Sequence, residues 1–366
     1  MRKLLVLTDA DFVGGAETNY QYIIPQLLKN GWFPIFVSSG GENLKSYFRK
    51  QGLEIVVVPA FKKYYSFSVR NRVSLTNIFR TWLNVVRNRQ VLRKLISKHK
   101  PSAVVSNSMV SHWLLAFANT GTGCRKVMHL HDIVNGRKAF GLYGKGLNWI
   151  AGRMDAVIAV SEAVRKQLSP KLQLKVNKIY NPAEATLYIA GRHSGKIMRI
   201  GMFARYTPWK GHRDFLEIAK ALPSGNYQFI CYGNYSGNES YFEELKAIAA
   251  TMPNAANIQI NGFCYNAAAE MSKCDIILQL SLLPDASPKI LVESNMCRVP
   301  VYGYEGGGVK ELFEEFSLAG VLVPSGDKQA LVNAIKDFPN REFAFPDFSH
   351  LQPANYFTRF EQMLVS

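Results

Sequence analysis

Long apolar runs are missing from this chain of 366 residues. No stretch approaches the roughly eighteen consecutive apolar residues that a membrane-spanning helix requires. The opening "MRKLLVLTDADF" turns polar directly after Leu4–Leu7, too short an apolar run for a signal peptide, so a cytosolic, soluble chain is expected. Cysteine is scarce as well. Cys124, Cys231, Cys264, Cys274 and Cys297 are odd in number and scattered, without the paired spacing of a zinc site or a disulfide scaffold, and reduced, mostly buried thiols are expected. No short-period repeat or low-complexity tract appears. Acidic residues are few in one half only: residues 1–190 hold 28 Lys/Arg against 9 Asp/Glu, whereas residues 191–366 hold 16 against 18. The two halves therefore face different partners.

What is present is an apolar fraction of 48%, which excludes a disordered chain and suffices for two cores. Short β-branched runs at "KLLVLT", "FPIFVSS", "EIVVVP", "SAVVSNS", "KVMHLHD" and "DAVIAVS" alternate with helical segments, predicting a parallel sheet covered on both faces. The pattern restarts at "IMRIGMFA" and runs through "YQFICYG", "NIQIN", "DIILQLS", "VPVYGY" and "GVLVP". The fold class expected is α/β, with two Rossmann-like doubly wound domains facing each other across a cleft. Their seam is placed near residues 179–196, where Pro and Gly interrupt the periodicity and the charge balance changes sign. The expected boundaries are 1–185 and 192–350.

The densest basic stretch, Phe61–Lys100, interleaves cations with aromatics and with helically spaced Ile78, Trp82, Val85, Val86, Leu92 and Leu95. Such a helix buries one face and leaves a cationic one. A solvated face, nucleic acid, and an anionic membrane surface or lipid-linked phosphate all fit that description. The membrane surface is the partner expected here, and nucleic acid is not.

In open parallel sheets, ligands sit beyond the carboxyl ends of the strands. After the first strand, Gly14 and Gly15 let backbone approach a ligand, and a helix then runs toward Gly31, with Pro25 inside it predicting a kink or a shifted start. In "KVMHLHD" the alternation puts His129 and His131 on one face, His131 nearer the strand end and so nearer a cleft. In "GMFARYTPWKGHRDFLEIAKAL", Arg205 and Lys210 stand between a strand and a helix starting near Gly211, a placement that suits a diphosphate. The stretch "SLLPDASPKILVESNMCRVPVYGYEGGG" sets Asp285 and Glu293 eight residues apart, with Ser287 and Pro288 starting a helix and Gly306–Gly308 forming a loop. Carboxylates accept hydrogen bonds from sugar and ribose hydroxyls, and free N–H groups at a helix start and glycine loop suit phosphate. Together these residues read as a nucleotide-sugar clamp.

Over nearly its whole length the chain resembles the retaining glycosyltransferases of the GT-B fold, family 4 (glycosyl transferases group 1). The resemblance rests on "GGAE" at 14–17, "HLHD" at 129–132, "DAVIAVSEAVRKQL" at 155–168, "IYNP" at 179–182, "FARYTPWKG" at 203–211, "NGFCYN" at 261–266, and "DASPKILVE" followed by "GGGVKE". Two positions depart from the family pattern. Asp285 stands where Glu is commoner, and Pro288 removes a backbone donor from what is usually an aromatic-glycine stretch.

The resemblance implies a catalytic group of His131, Arg205, Lys210 and Asp285. It implies a donor nucleotide site of Gly14, Gly15, Arg205, Lys210, Phe263, Cys264, Ser287, Lys289, Ile290 and Glu293. Arg205 and Lys210 would neutralise the departing diphosphate, a task many other transferases give to a metal ion, so neither metal nor cofactor is expected. Glu293 would take the ribose hydroxyls, Asp285 the donor sugar, the 263–264 backbone the base, and His131 would stand at the reacting carbon. The Asp9-x-Asp11 pair resembles a metal motif of another transferase class but lacks that fold's context.

The resemblance further implies transfer, with retention of anomeric configuration, from a nucleotide-sugar, a UDP-sugar foremost. The acceptor would be a glycan, lipid-linked, in bacterial surface polysaccharide assembly (O-antigen, lipopolysaccharide or capsule). The enzyme would sit peripherally at the inner face of the cytoplasmic membrane, and its C-terminal helix, 353–366, would pack back on the first domain. A nucleotide-sugar epimerase and a non-catalytic basic module are the alternatives; Arg205, Lys210 and Glu293, all in place, speak against the module.

Overall fold

The computed structural model describes residues 1–8, 14–61, 75–121, 123–134, 142–184, 196–223 and 225–365; for 75–82, 84, 85, 142 and 143 the backbone alone is described. The pair Asp9 and Asp11, most of the expected seam, and the side chains of Ile78, Trp82 and Val85 lie outside the described residues. The chain forms two compact units, Met1–Pro182 with Leu351–Ser366, and Ala183–His350.

The first unit is built on seven parallel strands: β1 (Arg2–Leu7), β2 (Trp32–Ser38), β3 (Val56–Pro59), β4 (Ala103–Ser106), β5 (Arg125–Leu130), β6 (Ala156–Ala159) and β7 (Val176–Lys178), in the order β3-β2-β1-β4-β5-β6-β7. Leu4 through Leu7 are all without exposure, because β1 is covered on both faces. That is why it reads as a continuous apolar run rather than an alternation. The edge strand β7 went unpredicted: three residues, two of them polar, carry no period-2 signal, and only pairing with β6 makes them a strand.

The helix expected after Gly14 is broken at Asn19 into Gly15–Thr18 and Tyr20–Lys29. Pro25 lies inside the second piece, and Gly31, at φ +76°, follows its end. The helix Leu75–His99 buries Asn88, Leu92 and Ile96, one every fourth residue, and leaves Arg87, Arg89, Arg93, Lys94 and Lys98 exposed. The last helix, Pro353–Val365, returns to this unit and sinks Tyr356, Phe357, Phe360 and Leu364 into its core. Glu361 fixes it there, accepting hydrogen bonds from Arg2 (2.6 Å) and from the Trp32 indole (2.8 Å).

The second unit holds six parallel strands: β8 (Met198–Phe203), β9 (Tyr227–Tyr232), β10 (Ile258–Asn261), β11 (Ile276–Gln279), β12 (Val301–Tyr304) and β13 (Gly320–Val323), ordered β10-β9-β8-β11-β12-β13. Both sheets reverse strand order once, beside β1 and beside β8. Loops leaving the carboxyl ends at these two points open crevices. All five cysteines are free thiols, and Cys231, Cys274 and Cys297 are buried. Among the described residues, no helix is long and apolar enough to cross a membrane.

Candidate active site

In the second unit the loops after β8 and β11 meet at the switch point of the sheet. Tyr206, fully buried, donates its hydroxyl to the Asn261 carbonyl at 2.7 Å and anchors the first loop. A 3-10 turn, Pro208–Lys210, follows, and Gly211 takes φ +81° before the helix His212–Ala221. A Cβ on Gly211 would stand 2.1 Å from the Leu280 carbonyl oxygen, so only glycine lets the two loops come this close. The result places Lys210 Nζ on the Asp285 carboxylate, with both side chains largely buried. Lys210 also lies 4.3 Å from the centre of the Trp209 ring.

Asp285 is held from several sides. Ser281 Oγ donates to its carboxylate at 3.3 Å and itself accepts from Gln279 Nε2 at 2.9 Å. Its backbone bridges to Gly307, and Gly308 N–H donates to its carbonyl at 2.7 Å. Gly307, at φ +58°, would with a Cβ come within 2.3 Å of that carbonyl oxygen. The glycine loop therefore fixes the backbone of Asp285. The Gly308 N–H, expected to be free for a phosphate, is engaged there.

The helix after Asp285 begins one residue later than expected, at Lys289, with Pro288 as its N-cap. Lys289 Nζ lies 3.7 Å from Glu293 Oε1, one turn on, and both side chains are mostly covered. Burial pushes the Lys289 ammonium below its ordinary pKa, and the Glu293 carboxylate opposes that shift. Ser287 is partly covered, and the Ile290 side chain points into the interior, which leaves its backbone as the part able to meet a ligand. Arg205 is exposed just past the end of β8. Phe263 and Cys264 follow β10, with β9 between them and β8; Phe263 is half-exposed and meets Tyr265 edge-on at 5.0 Å.

In the first unit, Gly14 caps the short helix Gly15–Thr18, and a Cβ on Gly15 would meet nothing within 4 Å among the described residues. The neighbouring Glu17, buried, accepts from Gly14 N–H at 3.0 Å and from Thr8 Oγ1 at 2.8 Å, tying the helix start to the end of β1. A Glu three residues after a cap position is the sequence signature of this role. His131 follows β5 with its ring 3.9 Å from that of His129, as alternation requires. His129 is fully buried and reaches toward Phe360, while His131 is half-buried. On the adjacent helix, His112 Nδ1 pairs with Ser106 Oγ at 2.8 Å. Burial holds all three imidazoles neutral, pushing His112 and His131 down to about 3 and His129 well below its ordinary range. Among the described residues, no group of three or more His, Cys, Asp or Glu is arranged to hold a metal ion.

Two family profiles cover most of the chain: that of Glycosyltransferase Family 4 matches residues 13–185, and that of Glycosyl transferases group 1 matches residues 192–346. The chain belongs to the GT-B glycosyltransferases. An uncharacterised protein of the cps region of Klebsiella pneumoniae is 20% identical over 322 residues, covering 82% of this chain and 83% of that protein. The Anabaena protein Alr3699/HepE, solved with UDP-glucose, aligns with a TM-score of 0.75 at 20% identity, over 100% of this chain and 96% of that one. The lipopolysaccharide outer core galactosyltransferase WaaB, in its apo form, aligns at 0.69 with 14% identity, over 100% and 99%. For this GT-B glycosyltransferase the paired Lys210 and Asp285 occupy the switch point of the second sheet, and Gly14 and Gly15 follow the switch-point strand of the first.

Proposed function

We propose that the protein transfers a sugar from a UDP-sugar to a glycan acceptor, lipid-linked, in bacterial surface polysaccharide synthesis, with retention of anomeric configuration. The observation that carries this reading is the Lys210–Asp285 pair, mostly covered, at the switch point where an α/β sheet of this order takes its ligand. Arg205 and Lys210 bind the diphosphate and neutralise it as the bond to the sugar breaks, without a metal ion. Asp285 and the following loop accept hydrogen bonds from the sugar hydroxyls, Glu293 from the ribose, and the 263–264 backbone meets the base. The acceptor hydroxyl attacks on the face the diphosphate leaves. Its proton passes to the departing phosphate oxygen, and no carboxylate nucleophile forms a bond to the sugar.

The exposed cations of the helix Leu75–His99 support a peripheral seat on an anionic membrane at the cytoplasmic face, where a lipid-linked acceptor resides. A thermal-shift screen of nucleotide-sugars, followed by mass analysis of products formed on membrane extract, tests the reading. Stabilisation by a UDP-sugar and a product heavier by one sugar residue are expected. A UDP-sugar that is isomerised without transfer would instead indicate an epimerase.

A further inference from the structure

Lys289 is placed where helix electrostatics disfavours it. It is the first residue of the helix Lys289–Met296, at the end that carries the positive pole of the macrodipole. Its partner Glu293 lies four residues later, which reverses the order that favours an i,i+4 ion pair. Pro288 contributes no N–H and no side-chain cap at this start. The pair is also mostly removed from water, at 15% and 20% side-chain exposure, where desolvation works against both charges. Helix stability therefore does not explain the lysine, and local rules broken in this way gather at functional sites.

We infer that Lys289 is a positioning residue that holds the Glu293 carboxylate in place so that it accepts the ribose hydroxyls of the donor nucleotide. The inference rests on the assignment of Glu293 to the ribose made above. The ammonium 3.7 Å away is the one cation on the helix that carries Glu293, so removing it takes away the contact that fixes the direction of a mostly covered carboxylate. Lys289 thus acts through Glu293 on ribose selection, whereas Arg205 and Lys210 act on the diphosphate.

Calorimetry on the full chain with two probes, UDP and 2′-deoxy-UDP, separates these roles. The wild type is expected to prefer UDP by about tenfold or more, the range of a hydrogen bond to a charged group. Glu293→Gln and Lys289→Met should each erase that preference, while Lys289→Arg, which keeps the charge, should retain most of it. A Lys289→Met protein that still prefers UDP as the wild type does overturns the inference. So does one that loses affinity for both probes equally with the preference intact, since that marks a phosphate contact. A wild type without any preference instead removes the ribose assignment of Glu293 itself. Thermal melting of each variant accompanies the titrations. Should Lys289→Met not fold, Lys289→Gln replaces it with the same criteria.

Discussion

Lys210 Nζ rests on the carboxylate of Asp285, 75 residues further along the chain. Each therefore has its charge balanced before any donor arrives. A donor diphosphate must draw the ammonium toward itself, and the carboxylate it leaves is then available to a sugar hydroxyl. Lys210→Ala removes the cation that meets the leaving group, and transfer should fall by about 100- to 1000-fold, or roughly 3–4 kcal/mol, the scale for losing one such charge-stabilising group. Steady-state rates on a folded Lys210→Ala protein measure this, and full activity would remove Lys210 from the mechanism.

Asp285 and Glu293 are expected to divide their work between sugar and ribose. Glu293→Gln should weaken both UDP and the intact UDP-sugar, whereas Asp285→Asn should weaken the UDP-sugar more than UDP. Paired titrations of both ligands decide the point, and equal losses in both variants would refute the division.

Gly307 packs closely beneath the site. Its φ of +58° and the 2.3 Å approach of a Cβ to the Asp285 carbonyl oxygen make Gly307→Ala both strained and crowded. A loss of about 2 kcal/mol or more is expected, the scale for a non-glycine residue in a left-handed conformation with a backbone clash. Denaturant unfolding should show it, and donor affinity should fall as well because Asp285 moves.

The histidines of the first unit give a pH dependence with a definite sign. His112, His129 and His131 all have folded-state pKa values held below the unfolded value by burial, so the folded form is neutral and the unfolded form takes up protons first. Their contribution to stability is intact above pH ~6.5 and is lost progressively as the pH falls toward about 3. Each histidine steepens the loss by up to about 1.4 kcal/mol per pH unit. Melting across pH 7 to 4 should show this slope, and His129→Leu should flatten it by one proton's worth. An unchanged slope would mean that His129 is not buried neutral.

Membrane binding should be electrostatic and screened by salt. Arg87, Arg93 and Lys94 are exposed on the helix Leu75–His99, and each cation near an anionic surface contributes on the order of 1 kcal/mol. Reversing all three to Glu should abolish flotation with anionic liposomes while activity on a short soluble acceptor survives. A wild type that does not float at low salt would remove the membrane from the proposal.

The sequence by itself determined the repeated strand-helix alternation, because strands covered on both faces must be written as apolar runs, and β1, β4, β6, β11 and β12 were legible for that reason. It also drew attention to Arg205, Lys210 and Asp285, since charged residues on the loops after apolar strands are conspicuous against their surroundings, and to Glu293 in the helix that follows Asp285. It did not contain β7, whose three residues become a strand only by hydrogen bonding to β6. Nor could it disclose that Lys210 pairs with Asp285, or that the glycine loop binds the Asp285 carbonyl rather than standing open. The Lys210–Asp285 contact joins the loops after β8 and β11, the two strands between which the order of the sheet reverses. Pairings across such a reversal are set by which loops the folded sheet brings together, and neither local propensity nor spacing along the chain encodes them.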